Sequence, residues 1–223
     1  MVFELFDDSL EFPDPRHGEP DGLFAIGGEL SAERLLMAYS MGAFPWFSFR
    51  DTEQPFWYCP MERFVIFPEE IHISHSSRNL LNKGVYRCTI NRAFDRVIEG
   101  CAEKRIDLEG AWLGEKMMAA YKRLHNLGFA ISVEVWNGDS LAGGLYGVSI
   151  GSAFFGESMF SREPGASKIA LIHLARTMER NGGSLIDCQF ETPHLKTMGG
   201  RFIDYDDYLR IIRKPTWLKD KTV

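Results

Sequence analysis

The sequence predicts an α+β protein in which sheets and helices pack as layers. Three strand-like runs follow one another at residues 129–136, 141–150 and 153–160, with Asn-Gly-Asp and Gly-Ser turns between them. This spacing is typical of an antiparallel meander. A helical run at 167–181 and a further apolar strand at 185–190 come next. The strand–helix–strand order after a meander indicates a mixed sheet that is flanked by helices.

Three segments of the second half have the apolar spacing of amphipathic helices. Their apolar residues recur three and four positions apart, which places them on one face of a helix. The stripes consist of Phe94, Val97, Ile98 and Cys101; of Met117, Ala120, Tyr121 and Leu124; and of Leu171, Leu174, Ala175 and Met178. We expect each stripe to pack against the sheet.

The first 65 residues differ from the rest of the sequence in charge and composition. They contain 12 acidic and 4 basic residues, whereas residues 66–223 contain 19 and 21. Ser31 is suited to cap a short helix that Gly42 ends. The apolar side of that helix would consist of Leu35, Leu36 and Tyr39. An aromatic run at 44–58 is interrupted by Pro45 and Pro55 and is too broken for one long strand. We expect a small α/β domain at 1–65 and a larger domain at 66–223.

Composition limits the class of protein. No run approaches the roughly 18 apolar residues of a membrane span, and the acidic N-terminus lacks the pattern of a signal peptide. We therefore expect a cytoplasmic protein. The four cysteines are widely spaced and the six histidines form no HxxxH or HExxH cluster, so neither disulfides nor a metal site are expected.

Charge leaves the question of a polyanionic partner open. The net charge of −6 argues against nucleic acid, but the segment 210–221 has five basic residues against one acidic residue. A local basic face for a polyanion and a solvated surface of uneven charge both fit this distribution.

Polar residues interrupt two apolar strands. In "LIDCQF", Asp187 and Gln189 would share one face of a strand, because side chains alternate along it. Buried polar groups cost free energy unless they are paired or used. Glu157, in "GESMFS", is a second carboxylate of this kind and would lie near Asp187 if the two strands are neighbours. Alternatively, Glu157 is a structural residue paired with the backbone or with Arg162.

Two tryptophans lie in segments flanked by Gly or Pro. Trp46 in "AFPWFS" and Trp112 in "GAWLG" are placed in turns rather than inside periodic cores. Exposed aromatic faces in loops are suited to stacking on nucleobases. Each tryptophan could equally be structural, with its ring packed against the core to hold the loop in place.

Long blocks in order along the chain resemble a known family. They are "EPDGLFAIGGELSAERLLMAYSMGAFPWFS", "RCTINRAFDRVIEGCA", "GAWLGEKMMAAYKRLHNLGFAISVEVW", "LAGGLYGVSIGSAFFGESMFSREPGASKIAL" and "GGSLIDCQF". The sequence resembles the bacterial leucyl/phenylalanyl-tRNA–protein transferases from about residue 12 to about residue 212. The resemblance implies that the larger domain has the N-acetyltransferase (GNAT) superfold. It also implies transfer of Leu, Phe and, less efficiently, Met from aminoacyl-tRNA to proteins that begin with Arg or Lys, which marks them for degradation under the N-end rule.

The resemblance also implies roles for residues of this sequence. Gln189 would receive a proton from the attacking amine, assisted by Asp187. A carboxamide is a very weak base, so we expect Gln189 to orient the amine and Asp187 to supply negative charge. The other expected sites are Trp46 and Trp112 for the terminal adenosine of tRNA, Glu157 for the acceptor's cation, Leu145, Phe154 and Met159 for the donor side chain, and Arg78, Lys83, Arg87 and the tail from Arg210 for tRNA phosphates. Leu145 stands where the family more often has Met. A monomer without metal or cofactor is expected.

The alternative is a CoA-dependent N-acyltransferase. The segment "REPGAS" before a helix partly meets the pattern R/Q-x-x-G-x-G/A that is typical of CoA pyrophosphate binding. Ser167 occupies its last position, where the pattern has Gly or Ala. The match is therefore incomplete.

Overall fold

The computed structural model describes residues 1–47, 54–106 and 114–218. The first sheet has four strands in the order β1-β2-β4-β3, and helix α1 connects β2 to β3. These elements are β1 (Phe3–Leu5), β2 (Leu23–Gly27), α1 (Ala32–Ser40), β3 (Phe44–Phe47) and β4 (Pro55–Tyr58). Strand β1 runs parallel to β2, and the other pairs are antiparallel.

The second sheet has seven strands in the order β11-β5-β10-β9-β8-β7-β6. Its strands are β5 (Glu62–Ile66), β6 (Arg87–Ile90), β7 (Ala130–Asn137), β8 (Ser140–Ile150), β9 (Ala153–Ser161), β10 (Leu185–Asp187) and β11 (Arg201–Asp204). The helices that accompany it are α2 (His75–Asn82), α3 (Phe94–Ile106), α4 (Glu115–Asn126), α5 (Ala166–Asn181), α6 (Pro193–Thr197) and α7 (Tyr205–Ile212), and short 3₁₀ turns lie at Pro15–His17 and Pro68–Glu70. A mixed fold of sheets and helices is confirmed.

The predicted meander is confirmed as β7, β8 and β9, which pair in antiparallel order. Helix α5 then crosses back, so that β10 lies parallel to β9 and antiparallel to β5. This crossover makes β9 and β10 neighbours, the arrangement that was needed to bring Glu157 close to Asp187. One apolar core cluster draws residues from both sheets. The division of the chain into domains at residue 65 stays a prediction.

The predicted helix stripes are buried throughout, because their spacing matches the helical period. The stripe of α5 packs with the core on one face of the large sheet, and the stripes of α3 and α4 belong to the core on the other face. Ser31 caps α1 as predicted, since its side chain accepts a hydrogen bond from the N–H of Arg34.

The placement of Trp46 in a turn was wrong. Trp46 lies inside β3, which pairs with β4 across the aromatic run. Pro45 is tolerated there because β3 is an edge strand, and Pro55 is tolerated because it is the first residue of β4. Prolines at an edge and at a strand start therefore leave two short strands where the sequence indicated a broken segment.

The prediction of a continuous strand through "LIDCQF" was also wrong. Strand β10 ends at Asp187, and Gln189 has a backbone φ of 63°. The Asp187 carboxylate accepts the N–H of Gln189 at 2.8 Å, and Phe190 donates its N–H to the carbonyl of Cys188 at 2.7 Å. These two bonds close a tight turn in place of a strand. Asp187 and Gln189 consequently do not share a strand face.

Candidate active site

A cavity of about 560 Å³ opens where β9 and the segment after β10 separate. Strand β3 closes one side of it, and α5 and α6 close the other. Seven of the eight predicted site residues line this cavity: Trp46, Leu145, Phe154, Glu157, Met159, Asp187 and Gln189. The eighth, Trp112, lies outside the described residues. The strand neighbours β9 and β10 thus gather side chains that are far apart in the sequence.

One wall of the cavity is apolar. Leu145 and Met159 are partners across the β8–β9 pairing, and Phe154 lies on the same strand as Met159. Leu171 of α5 and Ile186 of β10 complete the wall. Such a wall suits an unbranched or aromatic apolar side chain.

The opposite side is polar and centres on Glu157. This side chain is 6% exposed, and its Oε1 accepts hydrogen bonds from the hydroxyl of Tyr39 at 2.8 Å and from Nε2 of Gln189 at 2.9 Å. Oε2 accepts from the hydroxyl of Tyr121 at 2.6 Å. Glu157 therefore joins helices α1 and α4 to the turn that follows β10.

Burial raises the pKa of Glu157 to about 7. The hydrogen bonds from Tyr121 and Tyr39 oppose this shift because they favour the carboxylate, whereas the nearby Asp187 raises the pKa further. Burial, together with the neighbouring Glu157, also raises the pKa of both tyrosines well above the ordinary value. Glu157 is thus a carboxyl group that titrates near neutral pH.

Asp187 is fully buried and paired. Its Oδ2 accepts from Nη2 of Arg63 and, at 2.6 Å, from the hydroxyl of Tyr208, while Oδ1 accepts the backbone N–H of Gln189. The guanidinium of Arg63 lies between the rings of Phe44 and Tyr208, 5.1 and 4.7 Å from their centroids. Its Nη1 also donates to the carbonyl of Gly42. Asp187 is therefore an ionic anchor for the turn that holds Gln189.

Gln189 connects the two carboxylates. Its main-chain N–H reaches Asp187 and its side-chain Nε2 reaches Glu157. A positive φ is uncommon for a residue with a side chain, and strained positions of this kind occur at functional sites. Both bonds fix the carboxamide in one orientation at the cavity.

Aromatic rings form the rim beside this polar side. The ring of Trp46 lies 5.1 Å from that of Phe190 and 5.7 Å from that of Tyr58. Phe44 packs edge-on against Phe190 at 5.6 Å. Trp46 remains partly exposed, so part of its side chain is accessible from solvent.

Family models match most of the chain. The model of the leucyl/phenylalanyl-tRNA protein transferases matches residues 65–213, and the model of their N-terminal domain matches residues 28–61. The chain belongs to the leucyl/phenylalanyl-tRNA–protein transferase family. It is accordingly an enzyme of the aminoacyltransferase class.

Relatives in this family are similar over nearly their whole length. The leucyl/phenylalanyl-tRNA–protein transferase of Anaeromyxobacter dehalogenans is 47% identical over 211 residues, which cover 92% of this chain and 89% of that protein. The one from Nitrosomonas europaea is 51% identical over 205 residues, or 91% of this chain and 86% of that protein.

The match to a solved structure is weaker. A conserved protein of unknown function from Bacteroides thetaiotaomicron aligns with a TM-score of 0.47 and 12% identity, over 87% of this chain and 67% of that one. A likeness at this level carries no argument about the superfold. The GNAT assignment of the transferase's larger sheet stays a prediction.

Sequence reasoning missed four polar residues of the transferase site: Tyr39, Tyr121, Arg63 and Tyr208. Tyr39 and Tyr121 were assigned to apolar helix stripes, and their rings are indeed buried. Periodicity gives no information about where their hydroxyls point. The available signal was Arg63, a charged residue beside the apolar run of β5, which required a buried acidic partner.

The CoA alternative is not favoured by the local geometry. At the start of α5, the N–H of Ser167 donates to the hydroxyl of Ser161 at 2.8 Å, and the N–H of Ala166 donates to the carbonyl of Glu163 at 3.2 Å. Two of the backbone donors at this helix N-terminus are therefore already bonded within the transferase.

Among the residues that the structure describes, no group of three or more His, Cys, Asp or Glu side chains could hold a metal ion. In the same part of the chain, no helix has the length and apolarity to cross a membrane.

Proposed function

We propose that this enzyme transfers Leu or Phe, and less efficiently Met, from aminoacyl-tRNA to the N-terminal amine of proteins that begin with Arg or Lys. The product would be marked for degradation under the N-end rule, and the enzyme would act as a cytoplasmic monomer. The cavity carries the proposal, because it places an apolar wall, a polar corner and an aromatic rim around one space. Membership of the transferase family supports the reaction class.

The apolar wall would hold the donor side chain. Leu145, Phe154 and Met159 offer flexible or planar surfaces to Leu, Phe or Met. A β-branched side chain such as Ile or Val would clash near its Cβ, and a difference of this size gives about 1–3 kcal/mol of discrimination. Leu145, in place of the commoner Met, would tune the shape of the wall.

The reaction is aminolysis of an ester and needs no covalent enzyme intermediate. The enzyme must place a neutral amine against the carbonyl carbon and allow one proton to leave. The Nε2 of Gln189 donates a hydrogen bond to Glu157. The carboxamide oxygen therefore points away from Glu157 and is available to the amine. Gln189 would therefore orient the nucleophile as an acceptor.

Asp187 would act through Gln189 rather than on the amine. Its charge is matched by Arg63, and its contact with Gln189 is to the backbone N–H. We assign Asp187 the role of a positioning residue that keeps the carboxamide in place. Its charge also contributes to the negative potential around the amine.

Glu157 would recognise the cationic side chain of the acceptor. It is the cavity-lining carboxylate that accepts a hydrogen bond from the Gln189 side chain, and Arg or Lys at the acceptor's first position supplies the matching cation. Glu157→Gln should raise the KM for the acceptor more than that for aminoacyl-tRNA. An equal effect on both substrates would contradict this division.

The nucleic acid would be held at two places. Trp46 would stack on the terminal adenosine, together with Trp112, which lies outside the described residues. Exposed Arg78 lies on α2, Lys83 directly follows that helix and Arg87 lies on β6. These three residues would contact phosphates of the acceptor stem. Arg210 already pairs with Asp207, so the tail is a weaker candidate at that position.

The decisive experiment uses radiolabelled Leu-tRNA and three peptides that differ only in a first residue of Arg, Lys or Ala. Label on the Arg and Lys peptides but not on the Ala peptide is the expected result. Label on none of them would refute the proposed function, and equal label on all three would refute the acceptor specificity.

A further inference from the structure

Glu157, Tyr39 and Tyr121 form a closed triangle of oxygen contacts. Tyr39 lies 2.8 Å from Oε1 of Glu157, Tyr121 lies 2.6 Å from Oε2, and the two hydroxyls lie 2.8 Å from each other. All three side chains are buried. Each side of the triangle has the length of an O–H···O hydrogen bond.

Counting hydrogens distinguishes the two protonation states of this triangle. Each tyrosine contributes one hydrogen, which it keeps because the pKa of both phenols is raised well above the ordinary value. With an ionised Glu157, the two hydroxyl hydrogens are available for three oxygen–oxygen contacts. One contact then has no hydrogen, and the lone pairs of its two oxygens repel each other. With a protonated Glu157, the contact with Tyr121 would be reversed: Oε2 would donate to Tyr121, Tyr121 would donate to Tyr39, and Tyr39 would donate to Oε1. Only the protonated form satisfies all three contacts.

We propose that Glu157 carries a proton in the free enzyme and releases it to solvent when the cationic first residue of an acceptor docks against it. This inference rests on the proposed function, which makes Glu157 the acceptor's counter-ion. The fourth contact fits both states, because Oε1 accepts from Gln189 whether or not Oε2 bears the proton.

Burial and the neighbouring Asp187 favour the protonated form of Glu157 until a cation arrives. The titratable and charged groups that face it are Tyr39 of α1, Tyr121 of α4, Tyr146 of β8 behind Tyr121, Asp187 of β10, and Arg63 of β5 on the far side of Asp187. Asp187 disfavours a second negative charge, and Arg63 is already paired with Asp187. An acceptor cation would reverse this balance, since an opposite charge within a few ångströms stabilises a carboxylate.

Acceptor affinity should therefore depend on pH. If the carboxyl titrates near 7 in the free enzyme, about one tenth of the molecules are ionised at pH 6 and about nine tenths at pH 8. The apparent affinity scales with the competent fraction, so an Arg peptide should bind about tenfold more weakly at pH 6 than at pH 8.

The release is measured by titration calorimetry at pH 6 with an Arg-initiated peptide, in two buffers of different ionisation enthalpy. We expect release of about 0.9 proton per bound peptide, the fraction that is protonated beforehand. Glu157→Gln should bind without release, and Glu179→Gln, which alters an exposed carboxylate of α5, should behave like the unaltered protein. Equal heats in both buffers would overturn the release step.

Infrared spectroscopy of the free enzyme tests the proton without any acceptor. The difference spectrum between the unaltered protein and Glu157→Gln at pH 6 should contain the C=O band of a carboxylic acid, shifted in D₂O. A carboxylate band in its place would overturn the inference even if the enzyme transfers Leu to Arg peptides. Conversely, a carboxylic acid band without peptide binding or transfer would refute the proposed function and the release step, and leave the protonated triangle standing.

Discussion

Glu157→Gln should stabilise the protein at alkaline pH relative to the unaltered chain. Glutamine has the shape of a protonated glutamate, so its amide can donate to Tyr121 while its oxygen accepts from Tyr39 and Gln189. The substitution keeps the contacts of the protonated carboxyl and removes its titration. Any difference between the two proteins that changes with pH therefore reports this one group.

The size of the effect follows from the pKa. A carboxyl whose folded pKa lies above its unfolded value stabilises the fold below the unfolded pKa, and this contribution is lost as pH rises toward the folded pKa. For Glu157 the two values are about 7 and 4.5. Between pH 5.5 and pH 8 the unaltered protein should lose about 2 kcal/mol relative to Glu157→Gln, and the difference should level off above pH 8.

The assay is urea unfolding, followed by circular dichroism, of the unaltered protein, Glu157→Gln and Glu179→Gln from pH 5.5 to pH 8.5. Because other titrating groups are common to all three proteins, their contributions cancel in the differences. The Glu179→Gln curve should run parallel to that of the unaltered protein. If the Glu157→Gln curve ran parallel as well, Glu157 would have an ordinary pKa and the reasoning would be refuted.

Other substitutions separate the remaining roles. Asp187→Asn should lower the free energy of unfolding by about 3–5 kcal/mol, because it leaves the buried Arg63 without its counter-ion, and should slow transfer; an unchanged urea midpoint would argue against the ion pair. Gln189→Gly removes the carboxamide at a position whose positive φ suits glycine, so the free energy of unfolding in urea should change by less than about 1 kcal/mol while kcat falls. An undiminished kcat would exclude the carboxamide from the reaction. Trp46→Ala should weaken aminoacyl-tRNA binding by about 1–3 kcal/mol in a filter-binding assay, with the acceptor KM unchanged. The affinity of the unaltered protein for tRNA should fall steeply as the salt concentration rises. An affinity independent of salt would exclude binding through phosphate contacts.

The sequence sufficed for the elements whose formation depends on local periodicity. The helix stripe of α5 and the meander strands β7 to β9 were predictable because burial alternates with the period of each element. The cavity was predictable to the extent that it depends on β9 and β10 being neighbours, which a strand–helix–strand connection commonly produces.

The hydrogen-bond partners could not be predicted in the same way. Tyr39 and Glu157 are 118 positions apart, and nothing in the stripe of α1 distinguishes a tyrosine that packs from one whose hydroxyl meets a carboxylate. The end of β10 depended on a side chain, since the Asp187 carboxylate competes for the N–H that a continuing strand would pair elsewhere. Predicting a strand from residues that alternate with a period of two assumes that backbone groups bond to other backbone groups. At Asp187 a side chain takes the place of the backbone acceptor.

The two carboxylates of the site have different partners, and both hold Gln189 in place. Asp187 pairs with Arg63 and fixes the backbone of Gln189, whereas Glu157, whose pKa is raised by burial, fixes the carboxamide. The positive φ of Gln189 is maintained because its backbone N–H and its side-chain Nε2 are both hydrogen-bonded. Loss of either carboxylate should therefore disturb the carboxamide oxygen of Gln189, which we propose as the acceptor for the incoming amine, but only the loss of Glu157 should also change how the acceptor's affinity varies with pH.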